Sequence, residues 1–212
     1  MKIAIIDFES GNLKSVFKAV EFASKRANLN SDIQILNSNE NLKSFDKIIL
    51  PGQGSFKQCY NSLSSIDGML EGLNEAVLNK QKPILGICVG MQLFSNFGEE
   101  DGGSKGFGWI KGDVKKIQIL DNSFKLPHMG WNNIEINPKS RLLNEVENES
   151  HFYFVHSYRF DVTDRDNVSA TTNYSEKVDA VVEKNNIFGT QFHPEKSQEN
   201  GIKILENFIR LK

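Results

Sequence analysis

A cysteine set between two glycines closes an apolar run, Gly86-Ile87-Cys88-Val89-Gly90, and His193-Pro194-Glu195 follows far downstream. Together these segments supply a thiol nucleophile, a base to deprotonate it and a carboxylate to orient the base, which are the parts of an acyl-transfer triad. The run Pro83-Ile84-Leu85 before Cys88 has the character of a buried parallel strand, and Met91-Gln92-Leu93-Phe94 after it suits a helix. The sulfur is therefore expected on a sharp strand-to-helix turn. There the glycines permit unusual dihedrals and close packing, and the unpaired amides of the new helix favour a thiolate over a thiol.

In Gly189-Thr190-Gln191-Phe192-His193-Pro194-Glu195, the two-residue side-chain period of an extended segment puts Gln191 and His193 on one face, with Glu195 next in the series and Phe192 opposite. Pro194 biases His193 toward an extended backbone. A carboxylate beside the imidazole fixes its tautomer, so that the other ring nitrogen takes the thiol proton and later delivers it to a leaving amine. Acyl transfer also needs donors aimed at the developing oxyanion. Two sources are visible: the amide of Val89, directly after the nucleophile, and the backbone of Gly52-Gln53-Gly54, which a parallel sheet can bring beside the elbow. An ordinary strand-to-helix turn is the plain alternative for Pro51-Gly52-Gln53-Gly54, and no Gly-Lys-Ser/Thr ending makes it a phosphate loop.

The elements that must position these groups follow an alternating pattern. Residues 2–8 form a first buried strand, and Gly11-Asn12 opens a helix in which Leu13, Val16, Phe17 and Val20 keep helical spacing. Strands at 33–36 and 47–50 come next, then helical patterns at 56–63 and 69–79 ahead of the Cys88 strand. From Gly102 onward glycines punctuate short β-prone pieces at 114–119, 131–136, 152–160, 170–173, 180–184 and 187–192, with Asn185-Asn186 as a hairpin turn and a last helix over 198–211. The expected fold is α/β: a central, mostly parallel sheet flanked by helices, with additional mixed and antiparallel strands in the C-terminal half.

The 212 residues are enough for one sizeable core, and residues 1–212 are expected to form a single domain. A formal net charge of −2 leaves no electrostatic footprint for nucleic acid or an anionic membrane, and no apolar stretch approaches the roughly 20 residues of a membrane span. The charged Asp7 interrupts the N-terminal apolar run too early for a signal peptide, so a cytoplasmic location is expected. The two cysteines are no disulfide framework, and Cys59, in a helix without a His or carboxylate motif, is expected to be a buried inert thiol. His128, His151 and His156 lack the close spacing of a shared metal site. The Glu99-Glu100-Asp101 run is expected to be a solvated face.

The Cys88 and His193 motifs resemble those of the class I, triad-type glutamine amidotransferases. Gly11-Asn12-Leu13-Lys14-Ser15-Val16, Pro127-His128-Met129-Gly130-Trp131-Asn132, Tyr153-Phe154-Val155-His156-Ser157-Tyr158 and Gln191 to Ser197 narrow the resemblance to the glutaminase subunits of imidazole glycerol phosphate synthases, across essentially the whole chain. The resemblance implies L-glutamine as substrate, with Cys88 attacking the carboxamide, His193 moving the proton and Glu195 orienting His193. Val89 with Gly52, Gln53 and Gly54 would form the oxyanion hole, and Gly52, Gln92, Ser157 and Tyr158 would hold the glutamine. It implies no cofactor and no metal. The implied partner is a (β/α)8-barrel cyclase subunit in a heterodimer, binding a phosphorylated ribulosyl-formimino aminoimidazole carboxamide nucleotide and receiving the ammonia. His128, Trp131 and Asn132 are candidates to face it, with core or turn packing as the alternative.

Two departures stand out. Residues 24–31 replace the short glycine-containing turn expected after the first helix, and Gln53 stands where small or apolar residues are usual. Rival readings are the same glutaminase feeding a nucleotide-sugar amidotransferase, and a non-catalytic flavodoxin-like redox sensor. The second leaves His193-Pro194-Glu195 and Gln92 unexplained.

Overall fold

The computed structural model of the chain describes residues 1–9 and 12–211. Gly11, expected to open the first helix, lies outside the described residues. The chain begins with β1 (Lys2–Ile6), apolar on both faces and almost wholly buried, and continues into α1 (Leu13–Arg26), which buries Val16, Ala19, Val20 and Ala23. Its end resolves the first departure. Asn28 takes a left-handed backbone, φ 56°, while the amides of Asn28 and Leu29 bond the carbonyls of Lys25 and Ser24 at 3.0 Å. Asn28 thus does the work of the missing glycine in a Schellman-type stop.

β2 (Asp32–Leu36) and β3 (Lys47–Gly52) follow, then α2 (Phe56–Ser65), capped by the Ser55 hydroxyl, and α3 (Met69–Asn74). The helix expected over 69–79 changes to a π turn at Glu75–Asn79. The Asn186 amide explains the wider turn: it donates to the carbonyls of both Val77 and Lys82 at 2.8 Å, drawing them toward the neighbouring hairpin. β4 (Ile84–Cys88) leads into α4 (Val89–Gln92), a single turn. It stops because the amides of Phe107, Ile110 and Gly108 take the carbonyls of Leu93, Phe94 and Ser95, leaving none for a second turn.

Two short strands not foreseen, β5 (Phe97–Gly98) and β6 (Ser104–Lys105), precede β7 (Gly112–Lys116), which ends three residues before expectation. β8 (His128–Asn133) and β9 (Glu135–Ile136) replace the single strand at 131–136. The strand expected over 152–160 is also two, β10 (His151–His156) and β11 (Tyr158–Val162), which join different sheets. The His156 ring reaches past Ser157 to the Tyr158 carbonyl, Nδ1 to O 2.8 Å, and this local bond turns the chain. β12 (Val168–Tyr174), β13 (Glu176–Lys184), β14 (Ile187–Thr190) and α5 (Gln198–Arg210) complete the order. β13 and β14 form the expected hairpin, with Asn185 at φ 55°.

The main sheet has the order β2-β1-β3-β4-β14-β13-β12-β9. Its first five strands are parallel and the remaining three antiparallel, as the mixed α/β reading requires. Two smaller sheets, β10-β8 and β11-β7-β5-β6, lie beyond it. Register brings the functional ends together: Gly52 pairs with Cys88, and Thr190 pairs with Ile87. The C-terminal ends of β3, β4 and β14 therefore open side by side, where ligands bind in open α/β sheets. No helix among the described residues is long and apolar enough to cross a membrane.

Candidate active site

Cys88 is the last residue of β4, with φ 55° and ψ −113°, a backbone that a side chain adopts only under strain. The next residue, Val89, opens α4, so its N–H has no intrahelical partner. The elbow can approach β3 only because Gly90 has no side chain: a Cβ there would lie 1.9 Å from the Leu50 carbonyl oxygen. Gly52 meets the same constraint from the other side, since a Cβ on it would lie 2.3 Å from the Gly90 nitrogen.

His193 and Glu195 reach the elbow from the segment after β14. The His193 backbone is extended, φ −97° and ψ 98°, and its amide bonds the Tyr153 carbonyl at 2.9 Å. Glu195 is not side by side with it on an extended strand, as the two-residue period predicts. Pro194–Lys196 form a 3-10 turn, and the turn swings the carboxylate back to His193, Nδ1 to Oε1 2.8 Å. Ser197 locks the turn by donating to the His193 carbonyl at 2.6 Å and accepting from the Tyr153 amide at 3.0 Å. Behind His193, Phe192 stacks on Phe152 with ring centroids 4.1 Å apart, the opposite-face placement that alternation predicts.

With Nδ1 engaged by Glu195, Nε2 is left to face the sulfur. Burial works against charge on His193, yet the Cys88 sulfur and then Glu195 outweigh it and raise the histidine pKa to about 10. The second carboxylate oxygen of Glu195 is buried without a partner among the described residues, so the ring carries most of that carboxylate's compensation. The ring is thereby held as an imidazolium facing the Cys88 sulfur at neutral pH.

Cys88 and His193 open on a cleft of about 230 Å³, below the roughly 300 Å³ at which drug-sized pockets begin and suited to a small metabolite. Gln53 and Gly54 line it beside Cys88 and Val89, whereas Gly52 lies beneath the elbow and reaches the cleft only through the backbone that follows it. Gln92, Ser157 and Tyr158 line the other side. Both amide hydrogens of Gln92 are committed, to the Tyr158 carbonyl and to Gln191 Oε1, each at 2.9 Å, which leaves its oxygen for a ligand. Cys59 is buried under Gln53 and donates its thiol to the Gln53 carbonyl at 3.3 Å.

The profile described as "Glutamine amidotransferase class-I" matches residues 4–211. The chain belongs to the class-I glutamine amidotransferase family. This amidotransferase is 49% identical over 212 residues, the full length of both chains, to a protein of Pelagibacter ubique named imidazole glycerol phosphate synthase subunit HisH. It is 43% identical over 211 residues, 99% of each chain, to the Rhodospirillum rubrum protein of the same name. Among solved structures it resembles a glutamine amidotransferase at TM-score 0.71 and 15% identity, covering 97% of this chain and 98% of that one. A second, from Thermotoga maritima, has TM-score 0.62 and 17% identity over 99% of this chain and 82% of that one.

Three features of the amidotransferase site escape sequence reasoning. Glu100, expected to be solvated, lines the cleft, where burial raises its pKa although the Phe56 amide, 2.8 Å away, opposes the shift. Gln191 points its amide at the Cys88 sulfur, Nε2 to Sγ 3.6 Å, and alternation had already placed it on the His193 face. His128 and His156, far apart in sequence, lie with Nδ1 and Nε2 3.0 Å apart, because β8 and β10 pair them directly. His128 is thus a core residue stacked on Phe154 and Tyr174, while Trp131 and Met129 on the same strand are 48% and 61% exposed.

The histidine pair has a single consistent protonation. The Tyr158 carbonyl can only accept, so His156 donates from Nδ1, and its Nε2 accepts from His128 Nδ1; His128 Nε2 then accepts from Asn132 at 3.3 Å. Both rings are neutral. Burial lowers His128 to about 4; burial, and then the charge of His128, lower His156 to about 3. Unfolded imidazoles take up protons below about pH 6.5, which the folded rings refuse until near those values, so the unfolded state binds more protons and stability falls as pH drops from 6.5 toward 4. His193, raised to about 10, stays protonated in the folded state throughout, so it opposes this slope near pH 6.5, where its unfolded imidazole is still taking up a proton, and adds none below about pH 5.5; the contribution is common to wild type and to a His128 variant. We expect the loss in Tm between pH 7 and 4.5 to be several degrees smaller in His128→Gln than in wild type, measured by calorimetry. Equal losses would refute the linkage.

Proposed function

We propose that the chain is the glutaminase subunit of an imidazole glycerol phosphate synthase. It hydrolyses L-glutamine to glutamate and passes the ammonia to a (β/α)8-barrel cyclase subunit, in a cytoplasmic heterodimer, for histidine biosynthesis. The observation that carries the reading is His193, bonded to Glu195 at 2.8 Å and facing Cys88 at the floor of a small cleft. The full-length similarity to proteins named HisH supports the choice of acceptor.

In this mechanism the Cys88 thiolate attacks the carboxamide carbon of glutamine. The oxyanion that forms is met by the Val89 amide and by backbone donors of the Gly52-Gln53-Gly54 segment. His193 gives its proton to the nitrogen as the carbon–nitrogen bond breaks, and ammonia leaves a thioester on Cys88. Water then attacks the thioester while His193 takes its proton, and glutamate departs as the thiolate is restored. The Gln92 oxygen and the Glu100 carboxylate suit the substrate ammonium group, and the Ser157-Tyr158 backbone suits its carboxylate end. Met129 and Trp131 present an exposed apolar pair toward the partner, since aromatic and Met side chains anchor interfaces. Gly52 and Gly54 allow the oxyanion segment two backbone states, of which the occupied partner favours the competent one.

The test is glutamate release from glutamine by the subunit alone, with a cyclase subunit, and with that cyclase and its nucleotide. The expected result is slow turnover alone and a rise of at least about tenfold, equivalent to 1.4 kcal/mol of coupling, in the loaded complex. No glutamate under any condition would overturn the glutaminase reading, and full activity of the isolated subunit would overturn the coupling.

A further inference from the structure

We propose that Gln191 is a fourth member of the catalytic group: its side-chain amide donates to the Cys88 sulfur and holds it as the reactive thiolate. Gln191 is fully buried immediately after β14, its backbone amide fixed to the Ala180 carbonyl at 2.8 Å, and its Nε2 lies 3.6 Å from Cys88 Sγ. The orientation of this amide is dictated by its neighbours. The Tyr158 carbonyl accepts from both Gln92 Nε2 and His156 Nδ1, so Gln92 must present nitrogen there, and its second hydrogen meets Gln191 Oε1 at 2.9 Å. Gln191 oxygen is thereby turned to Gln92 and its NH2 to the sulfur. A backbone carbonyl, which cannot reverse its polarity, sets the direction of the whole chain.

The sulfur needs such a donor. Among the described residues the sulfur also lies 3.9 Å from the Val155 carbonyl, an acceptor that favours the neutral thiol. The titratable groups around it are His193 with Glu195 behind, His156 on β10, which is neutral, and Glu100 and Tyr158, which line the same cleft. A thiolate accepts a hydrogen bond far better than a thiol does, so an N–H aimed at the sulfur favours the charged form. Gln191 does not line the cleft and has no contact to offer a substrate.

The inference rests on Cys88 being the nucleophile, and its test requires no glutamine. Alkylation of Cys88 by iodoacetamide is followed against pH in wild type, Gln191→Met and Gln191→Asn. Met fills similar volume without a donor, and Asn keeps the amide but withdraws it by one methylene. In both variants the alkylation midpoint should rise by about one pH unit, with the rate at pH 7 down about tenfold. In the glutaminase assay kcat should fall while KM stays within about twofold. A purely structural role would lower Tm without moving the midpoint. Unchanged midpoints in a folded variant would overturn the proposal, whereas a wild type that alkylates normally yet releases no glutamate would instead overturn the glutaminase reading.

Discussion

Cys88→Ala is expected to lower glutamate release from glutamine at least about a thousandfold, while the complex with the cyclase still makes product from added ammonium salts. In the proposed mechanism the removed sulfur carries the acyl group. Its loss disturbs little else: the alanine methyl retains Cβ, and the elbow is held by its backbone fit against β3. His193 also loses the neighbour that does most to raise its pKa. Partner binding measured alongside turnover separates loss of chemistry from loss of assembly. Glutaminase activity within tenfold of wild type would remove Cys88 from its assigned role.

The second large effect is expected from Gly90→Ala. A methyl group there would lie 1.9 Å from the Leu50 carbonyl oxygen and 2.9 Å from its carbon, backbone atoms of a central strand that has no side chain to turn aside. Relief requires the elbow to lift away from β3, which opens the contact between Cys88 and the Gly52-Gln53-Gly54 segment. We expect about 3 kcal/mol of destabilisation, a Tm lower by roughly 6–12 °C, and loss of glutaminase activity even at temperatures where the variant is folded. Wild-type Tm together with wild-type turnover would show that the close approach is not needed.

Much of this arrangement is legible in the sequence because it follows from local rules. The parallel strands announce themselves as apolar runs, since β1, β3, β4 and β14 are covered on both faces. The Gly86-to-Gly90 spacing marks the elbow because only residues without side chains let a strand end pack so tightly. What the sequence hides depends on partners distant along the chain. The break at Ser157 comes from one histidine ring and one carbonyl within an otherwise continuous β-prone run. The π turn after Asn74 comes from Asn186, and the short α4 from amides of residues 107–110. Glu100 resembles any solvated carboxylate until the chain folds it over the cleft. Gln191 was visible on the correct face, yet nothing in its spacing disclosed that Gln92 would turn its nitrogen toward sulfur.

The division of β10 from β11 at Ser157 has a mechanical consequence. The floor of the cleft belongs to a continuous ladder of paired strands, while its wall at Ser157 and Tyr158 is a joint between two small sheets. One of those sheets bears Met129 and Trp131 at its surface, and the other leads into the loop of Glu100. The first is also bonded to the segment that carries the imidazole, its Tyr153 carbonyl to the His193 amide at 2.9 Å and its Tyr153 amide to the Ser197 hydroxyl at 3.0 Å. A displacement of the Met129 and Trp131 surface is therefore passed to His193 and is not absorbed at Ser157.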